Sequence, residues 1–518
     1  MKVCTVRRRF WSTEATNNAT VNIDTEPGFG TPKAAMMQLL ECSAASDAFD
    51  TTLANRNCGI VFIGPKGDGS ATIFIVSASG VMANGAGAAD CARGMANSSF
   101  AIITPARTNY YRCVTATFIN DGMTLFFASG ATPQTNGHLE AIVTFFGGDD
   151  LTVGIGTHSV STAANTANSF TGFNFQPDAM FFATSINGFN SSISDDFRIS
   201  YGASTRLPFK QFVCAYHSEQ AAGNMDLAAW SSNDSVVYYN TNTTVSDANW
   251  SLNSIDATGF TITTDATIGP GTTNMLNFLA LKSNTTDYAL VGFSSATGTG
   301  NQFTGLGITG FVPKVILGSS TNATAYNTRQ TATPGADCIS FFAASRTADS
   351  KYFPGLGTLT SSTANATLTG TGTSFFRMAP GFKIYSLDNQ LIGTVSTVTS
   401  ATSITLTANA AITQSPTAGW VWSDSGEYCL SYGDNDGAGA SVVHSRMSTS
   451  AFTTVNGTTP SVIDEAVITN FDTRPGFNLN FTTSSGAAKL GWIMAIKDSS
   501  SGTNRRRNVT WWRFVLFN

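Results

Sequence analysis

Ile308-Thr-Gly-Phe-Val-Pro-Lys-Val-Ile-Leu-Gly318 decides how this chain is read, because it occurs three times. The earlier copies are Glu26-Pro-Gly-Phe-Gly-Thr-Pro-Lys-Ala-Ala-Met-Met37 and Phe170-Thr-Gly-Phe-Asn-Phe-Gln-Pro-Asp-Ala-Met-Phe-Phe182. In each, a Gly-Phe pair leads into a proline, and the proline into an apolar run. Glycine permits the turn, proline fixes φ where no ladder donor is needed, and the apolar residues continue as a buried strand. A motif used three times predicts three similar domains.

Two further landmarks recur in the same order. Each repeat closes on a glycine-led hairpin and a strongly apolar strand: Asp121-Gly-Met-Thr-Leu-Phe-Phe127 with Leu139–Phe146, Thr258-Gly-Phe-Thr-Ile-Thr263 with Met275–Leu281, and Pro475-Gly-Phe-Asn-Leu-Asn-Phe481 with Lys489–Ile496. In mid-repeat, Asn84-Gly-Ala-Gly-Ala-Ala-Asp-Cys-Ala-Arg-Gly-Met95 aligns with Asp436-Gly-Ala-Gly-Ala-Ser-Val-Val-His-Ser-Arg-Met447, and the middle repeat offers only Glu219-Gln-Ala-Ala-Gly-Asn-Met225. Units this long exceed the about 20–50-residue period of solenoids and suit separate domains.

Between the landmarks lie short apolar segments such as Gly59–Ile63, Ala179–Thr184 and Gln211–Tyr216, separated by Gly, Asn, Asp and Ser. The expected fold is therefore all-β: three tandem β-sandwich, jelly-roll-like domains over 20–148, 151–283 and 287–498. The Ala, Met and Leu of Pro32–Cys42 favour helix, but the repeat register makes this stretch a strand. The third repeat carries an insertion, 352–422, in which Ile392-Gly-Thr-Val-Ser-Thr-Val-Thr-Ser-Ala-Thr-Ser-Ile-Thr-Leu-Thr407 alternates apolar with hydroxyl residues. That period of two predicts a small β-module, barrel-like if it closes.

Residues 1–19 read as an N-terminal arm and 499–518 as a basic-aromatic C-terminal arm. Arg7, Arg8, Arg9, Phe10 and Trp11 open the chain; Arg505, Arg506, Arg507, Trp511, Trp512, Arg513 and Phe514 close it. Aromatics beside arginines are poorly solvated when free, so both clusters are expected to be assembly contacts.

Charged residues make up 12% of the 518-residue chain and the net charge is −5. The usual share is roughly 25%, so neutral Gly, Ser, Thr, Asn and Ala fill the polar positions. Such surfaces repel neighbours weakly and lose little side-chain entropy when covered. There is no global basic field for nucleic acid. The eight cysteines show neither Cys-x-x-Cys spacing nor a dense disulfide pattern. Met1-Lys-Val-Cys-Thr-Val-Arg-Arg-Arg9 lacks a signal peptide's apolar stretch, and no run approaches a membrane span, so neither Sec export nor membrane insertion is expected.

The repeat, with its Gly-Phe-x-Pro-Lys/Asp strand start, Gly/Ala-rich middle and Gly-Phe-x-Leu-x-Phe hairpin, resembles domains in virion structural proteins of tailed bacteriophages. The insertion is similar to a small β-module of phage tail, fibre and baseplate proteins, through Thr369-Gly-Thr-Gly-Thr-Ser-Phe375 and Val395-Ser-Thr-Val-Thr-Ser-Ala-Thr-Ser-Ile-Thr-Leu406. The resemblance implies a homo-oligomeric, non-enzymatic virion component made in the host cytoplasm, in tail, baseplate or fibre, with capsid decoration or spike as the near alternative. Its partners would be copies of itself and neighbouring virion proteins.

Reactive chemistry is sparse. The four histidines, His138, His158, His217 and His444, are too scattered for a metal cluster or triad. Gly305-Leu-Gly-Ile-Thr-Gly310 spells a dinucleotide fingerprint but runs into the strand-start motif, so it reads as a loop. Asp434-Asn-Asp-Gly437 resembles half of a calcium loop without its closing acid; the Asp149-Asp150 and Asp195-Asp196 pairs read as turns and caps. No catalytic, cofactor or metal residue is expected. The reading from another class is a carbohydrate-binding or depolymerising receptor protein, in which Trp230, Tyr238, Tyr239 and Trp250 stack on a host surface glycan.

Overall fold

The computed structural model describes residues 1–11, 18–43, 48–50, 55–83, 91–103, 109–128, 138–161, 163–185, 196–221, 224–239, 248–265, 274–295, 297–300, 302–304, 310–328, 330–331, 337–345, 352–388, 390–423, 426–434, 443–456, 459–469 and 475–498. The fold is all-β, with no α-helix among the described residues.

The first unit comprises β1 (Lys2–Trp11), β2 (Thr20–Asp24), β3 (Ala34–Cys42), the short β4 (Phe49–Asp50), β5 (Asn55–Pro65), β6 (Ile73–Ala83), β7 (Cys91–Ala96), β8 (Phe100–Ile103), β9 (Asn109–Ile119), β10 (Gly122–Phe127) and β11 (His138–Gly147). The second comprises β12 (Thr152–Val160), β13 (Thr166–Phe170), β14 (Ala179–Thr184), β15 (Asp196–Thr205), β16 (Lys210–Ala221), β17 (Asn224–Ser232), β18 (Val237–Tyr239), β19 (Ala248–Asp256), β20 (Gly259–Thr264) and β21 (Asn274–Lys282). The third begins with β22 (Tyr288–Ser294), β23 (Gln302–Thr304), β24 (Val315–Thr321), β25 (Gln330–Thr331) and β26 (Asp337–Ser345). After the insertion, whose strands run from β27 (Tyr352–Pro354) to β34 (Trp420–Ser423), it resumes with β35 (Glu427–Asp434), β36 (Val443–Ser448), β37 (Phe452–Val455), β38 (Val462–Thr469), β39 (Asn478–Thr483) and β40 (Leu490–Ile496).

One strand order serves all three units. The large sheets run β1-β11-β3-β5-β6-β7, β12-β21-β14-β15-β16-β17 and β22-β40-β24-β26-β35-β36; the small ones run β2-β10-β9-β8, β13-β20-β19-β18 and β23-β39-β38-β37. Each sheet contains a Greek key of its own. This differs from the jelly-roll-like order expected, in which strands cross between sheets at almost every step. The first unit also starts earlier than expected: β1 is its edge strand, paired with β11 from Lys2↔Gly147 to Trp11↔His138, not a separate arm.

The repeated motif starts the strand that neighbours the closing strand. Lys33, Asp178 and Lys314, each just after the motif proline, donate N–H to the carbonyls of Phe146, Leu281 and Ile496 at 2.8 Å. The ladder therefore begins one residue past the proline, which has no N–H to give. The turn before it needs glycine: φ is +78° at Gly28 and +68° at Gly310. The hairpin glycines do a different job, since a Cβ at Gly122 or Gly259 would collide with the carbonyl oxygen of Ile23 or Phe170.

Burial on both faces of the large sheets explains why Ala34–Cys42 is a strand despite its helix-favouring composition; all of its residues are buried. Alternate residues divide between two cores. Ala35, Met37 and Leu39 face the small sheet of their own sandwich, while Ala34, Met36 and Leu40 face a central core shared with the other two units. In the same way Met180 and Phe182 point into the second sandwich and Phe181 and Ala183 into the centre; Ile493 and Ala495 point into the third, and Trp492, Met494 and Ile496 into the centre.

The units contact one another as a closed ring. First meets second through β5 with β12 and β6 with β15; second meets third through β15 with β22 and β16 with β26; third meets first through β26 with β1 and β35 with β3. Large-sheet strands from the corresponding end of each unit meet at all three seams, so the body has threefold-like internal symmetry. Short strands also cross the seams: β4 of the first unit pairs with β36 of the third, and β25 of the third with β17 of the second.

The insertion is one eight-stranded sheet with β27 at one end. β34 follows the opposite edge strand (Gln414–Ala418) across the single residue Gly419, so the sheet curls back on itself. Although it springs from the third unit, its apolar face joins the core of the first, where Phe375, Phe382 and Trp422 cluster with Phe10 and Phe127.

Candidate assembly site

The sequence singles out Arg7, Arg8, Arg9, Phe10 and Trp11 as contacts for neighbouring subunits. The structure corrects this for Arg7 to Phe10, which are buried within their own chain and have 3%, 2%, 4% and 0% of their surface exposed. The side chain of Trp11 lies outside the described residues, as do Arg505, Arg506, Arg507, Trp511, Trp512, Arg513 and Phe514.

Alternation along β1 sends its arginines to two places. Arg7 donates to both oxygens of Glu140, at 2.9 Å from Nε and 2.8 Å from Nη2, and its Nη1 donates to the Pro380 carbonyl at 2.8 Å. Arg9 reaches Glu140 Oε1 at 2.5 Å, and His138 Nε2 lies 3.2 Å from the same oxygen. On the other face Arg8 donates to the Phe376 and Asn22 carbonyls and lies 5.6 Å from the Phe10 ring. Two of the three arginines thus bind carbonyls of the insertion. The predicted contact cluster joins parts of one chain.

Electrostatics at this cluster follow from burial. Burial alone would raise the Glu140 carboxyl, but the Arg7 and Arg9 guanidiniums outweigh it and hold the group well below the usual carboxylate range. Burial, with Arg9 next, lowers His138 to about 4, so it is neutral at physiological pH. Desolvation also pulls Arg9 down against the attraction of Glu140.

Similar polar stitches cross each seam. Lys33 Nζ donates to the Leu151 carbonyl at 2.7 Å and Ser185 Oγ to that of Gly94 at 2.8 Å, between first and second units. Trp492 Nε1 donates to Tyr201 O at 3.2 Å and Ser231 Oγ to Leu490 O at 3.1 Å, between second and third. Lys314 pairs with Glu26 at 3.2 Å and Ser445 Oγ donates to Glu41 O at 3.2 Å, between third and first. The β4 crossing is anchored by Phe49, 5.3 Å from the Arg446 guanidinium, and by Asp50, 3.4 Å from Arg56. None of these seam contacts is visible in the sequence, because each needs the ring.

The residues considered for sugar stacking are inward-facing. Trp250 is fully buried, and Tyr238, 4% exposed, stacks on Trp230 with ring centroids 4.0 Å apart; the Tyr239 side chain lies outside the described residues. Arg198, His217, Trp230 and Tyr238 line a recess of about 10 Å³, room for a single water and not for a sugar ring. Among the described residues no three His, Cys, Asp or Glu side chains group as metal ligands. Asp434 ends β35, and 435–437 lie outside the described residues, as do 305–309 of the glycine-rich loop and Asp195. Asp149 and Asp150 form the turn after β11, with Asp150 against the Met1 amino group. His158 packs edge-on against Phe170 and Phe260.

Seven described cysteines are free and buried. Burial pushes the Cys113, Cys214 and Cys429 thiols up to about 12, far from thiolate formation. Native protein is therefore expected to resist iodoacetamide at pH 8 at these three positions and to label fully in denaturant, as read by peptide mass spectrometry. Labelling of the native fold within minutes would contradict the burial described here.

No helix among the described residues is long and apolar enough to cross a membrane. No protein family, curated protein or solved structure matches the chain.

Proposed function

We propose that this chain is a non-enzymatic structural component of a tailed-phage virion, in the tail, baseplate or fibre, with capsid decoration or spike as the alternative position. One observation carries the reading: three sandwiches of one strand order close around a common apolar core, with hydrogen bonds or ion pairs crossing every seam. Such a body is suited to being packed against others, because few of its residues are charged. The resemblance of the repeat and the inserted module to phage virion domains supplies the assignment to a particle. Neighbours would be further copies and other virion proteins, engaged in part by the 505–514 cluster.

The test is to purify the full chain and measure its oligomeric state while probing purified particles for it. Oligomers or partner-dependent solubility, with the chain present in particles, support the proposal. A well-behaved monomer at all concentrations that is missing from particles overturns it.

A glycan-binding reading is favoured by one feature of the inserted module. Thr397, Thr405 and Thr367 stand in register across three strands, and Ser400, Ser403, Thr369 and Thr360 across four. Uncharged hydroxyl rows at strand spacing, about 4.8 Å, offer donors and acceptors to a polyhydroxy chain. Binding on a glycan array that is lost in Thr405→Val and Thr367→Val would establish this reading; a blank array would remove it.

A further inference from the structure

The water-facing side of the inserted module is not uniformly polar. Val421 of β34 stands opposite Tyr385 of β30 (Lys383–Ser386), and Tyr385 opposite Leu391 of β31 (Leu391–Ser400), so the three form one row across adjacent strands. Their neighbours along each strand, Trp420, Trp422, Ile384, Ser386 and Ile392, are buried, which places the row on the outer face. Leu387 lies against Gly419, just before β34, where a Cβ would collide with its Cδ1. Leu356 comes next to the same point from the β27 side, following Gly355, whose N–H donates to the Trp420 carbonyl at 2.8 Å.

Leu356, Leu387 and Leu391 are 46%, 53% and 41% exposed, and they are three of the six exposed large hydrophobic side chains among the described residues. With Val421 and Tyr385 they make a contiguous apolar patch at one end of a sheet whose outer face is otherwise hydroxyl-rich. The chain itself carries a segment of matching character. Seven of the nine residues from Val509 to Phe517 are apolar, and the only charged residues in 499–518 are Arg505, Arg506, Arg507 and Arg513. A run of that density is poorly solvated and calls for an apolar surface. Asp388, exposed beside Leu387, offers the patch a charge opposite to those arginines.

Chain length brings the two within reach. Glu427, Ala344, Ile316 and Ala495 form one row across β35, β26, β24 and β40, which spans about 15 Å. Val421 precedes Glu427 by six residues, at most about 20 Å of chain. The patch therefore lies within about 35 Å of Ala495, while the chain from Ala495 to Trp511 can extend about 50 Å. A segment tethered at that range meets its own module far more often than one on another molecule. We propose that the patch formed by Leu356, Leu387, Leu391, Tyr385 and Val421 is the seat of the chain's own 509–517 segment. This goes beyond the virion reading and stands without it; in an assembly, the patch of a neighbouring copy would compete for the same segment.

The test is disulfide trapping in the full chain, where the seven described native cysteines are buried. Gln390→Cys, at an exposed position beside Leu391, and Thr510→Cys leave the apolar contacts in place. Mild oxidation should join the two within one chain, as read by non-reducing electrophoresis and peptide mass spectrometry. Thr482→Cys, exposed on the third unit, is the control partner for Thr510→Cys and should react at least about tenfold more slowly. Adding Leu387→Asp to the first pair should slow its bond on the order of tenfold, and the substitution sits at a surface position that the fold does not need. Absence of a bond between positions 390 and 510, an equal rate with position 482, indifference to Leu387→Asp, or a bond found only between chains overturns the proposal.

Discussion

Trp492→Ala is expected to melt all three sandwiches together, at a cost of about 3–5 kcal/mol, although the residue belongs to the third alone. Trp492 is fully buried in the central core. Its ring lies 4.9 Å from Tyr201 and 6.4 Å from Phe181, both in the second unit, and its Nε1 satisfies the Tyr201 carbonyl. Truncation opens a cavity at the junction and leaves that carbonyl without its donor, two losses that add. The core inside the second sandwich, with Phe278 among Phe170, Phe173 and Phe260, is by contrast enclosed by one unit. Urea unfolding followed by alkylation of Cys58, Cys214 and Cys429, one thiol per unit, is the measurement. Coincident exposure at a lowered midpoint is the expected result. Exposure of Cys429 alone, with Cys58 and Cys214 still protected, would mean that the units are merely adjacent.

This shared core left a trace in the sequence. Ala179-Met-Phe-Phe and Phe278–Leu281 are apolar without alternation, which is how a strand buried on both faces reads. What the pattern could not say is which surfaces cover the second face, since apolar residues carry no address. The period-two insertion was legible for the opposite reason: one face of its sheet stays in water, so alternation survives. β1 was misread because Arg7-Arg-Arg9 argues for solvent on any local rule, and the group that justifies its burial, Glu140, lies on another strand.

Glu140→Ala should be the most damaging polar substitution, costing about 3–5 kcal/mol. Glu140 is wholly buried, is the shared acceptor of Arg7 and Arg9, and lies 3.2 Å from His138 Nε2. Removing it strands two guanidiniums away from water, one of which also holds the insertion through Pro380 O. The cost belongs to the orphaned charges and not to the pair as such, so Arg7→Met, Arg9→Met and Glu140→Met combined should recover most of the loss. Two acid responses separate the members of the cluster. Glu140 lies well below its ordinary 4.5, so its contribution persists above pH 4.5 and disappears only in stronger acid. His138, lowered from 6.5 to about 4, costs stability as pH falls through that interval, because only the unfolded chain takes up the proton. Chemical denaturation at pH 7 and pH 4.5 should therefore show His138→Gln shifted, relative to wild type, toward greater stability at pH 4.5. An unchanged pH dependence in that variant, or a Glu140→Ala protein as stable as wild type, would mean that β1 is not anchored by this carboxylate.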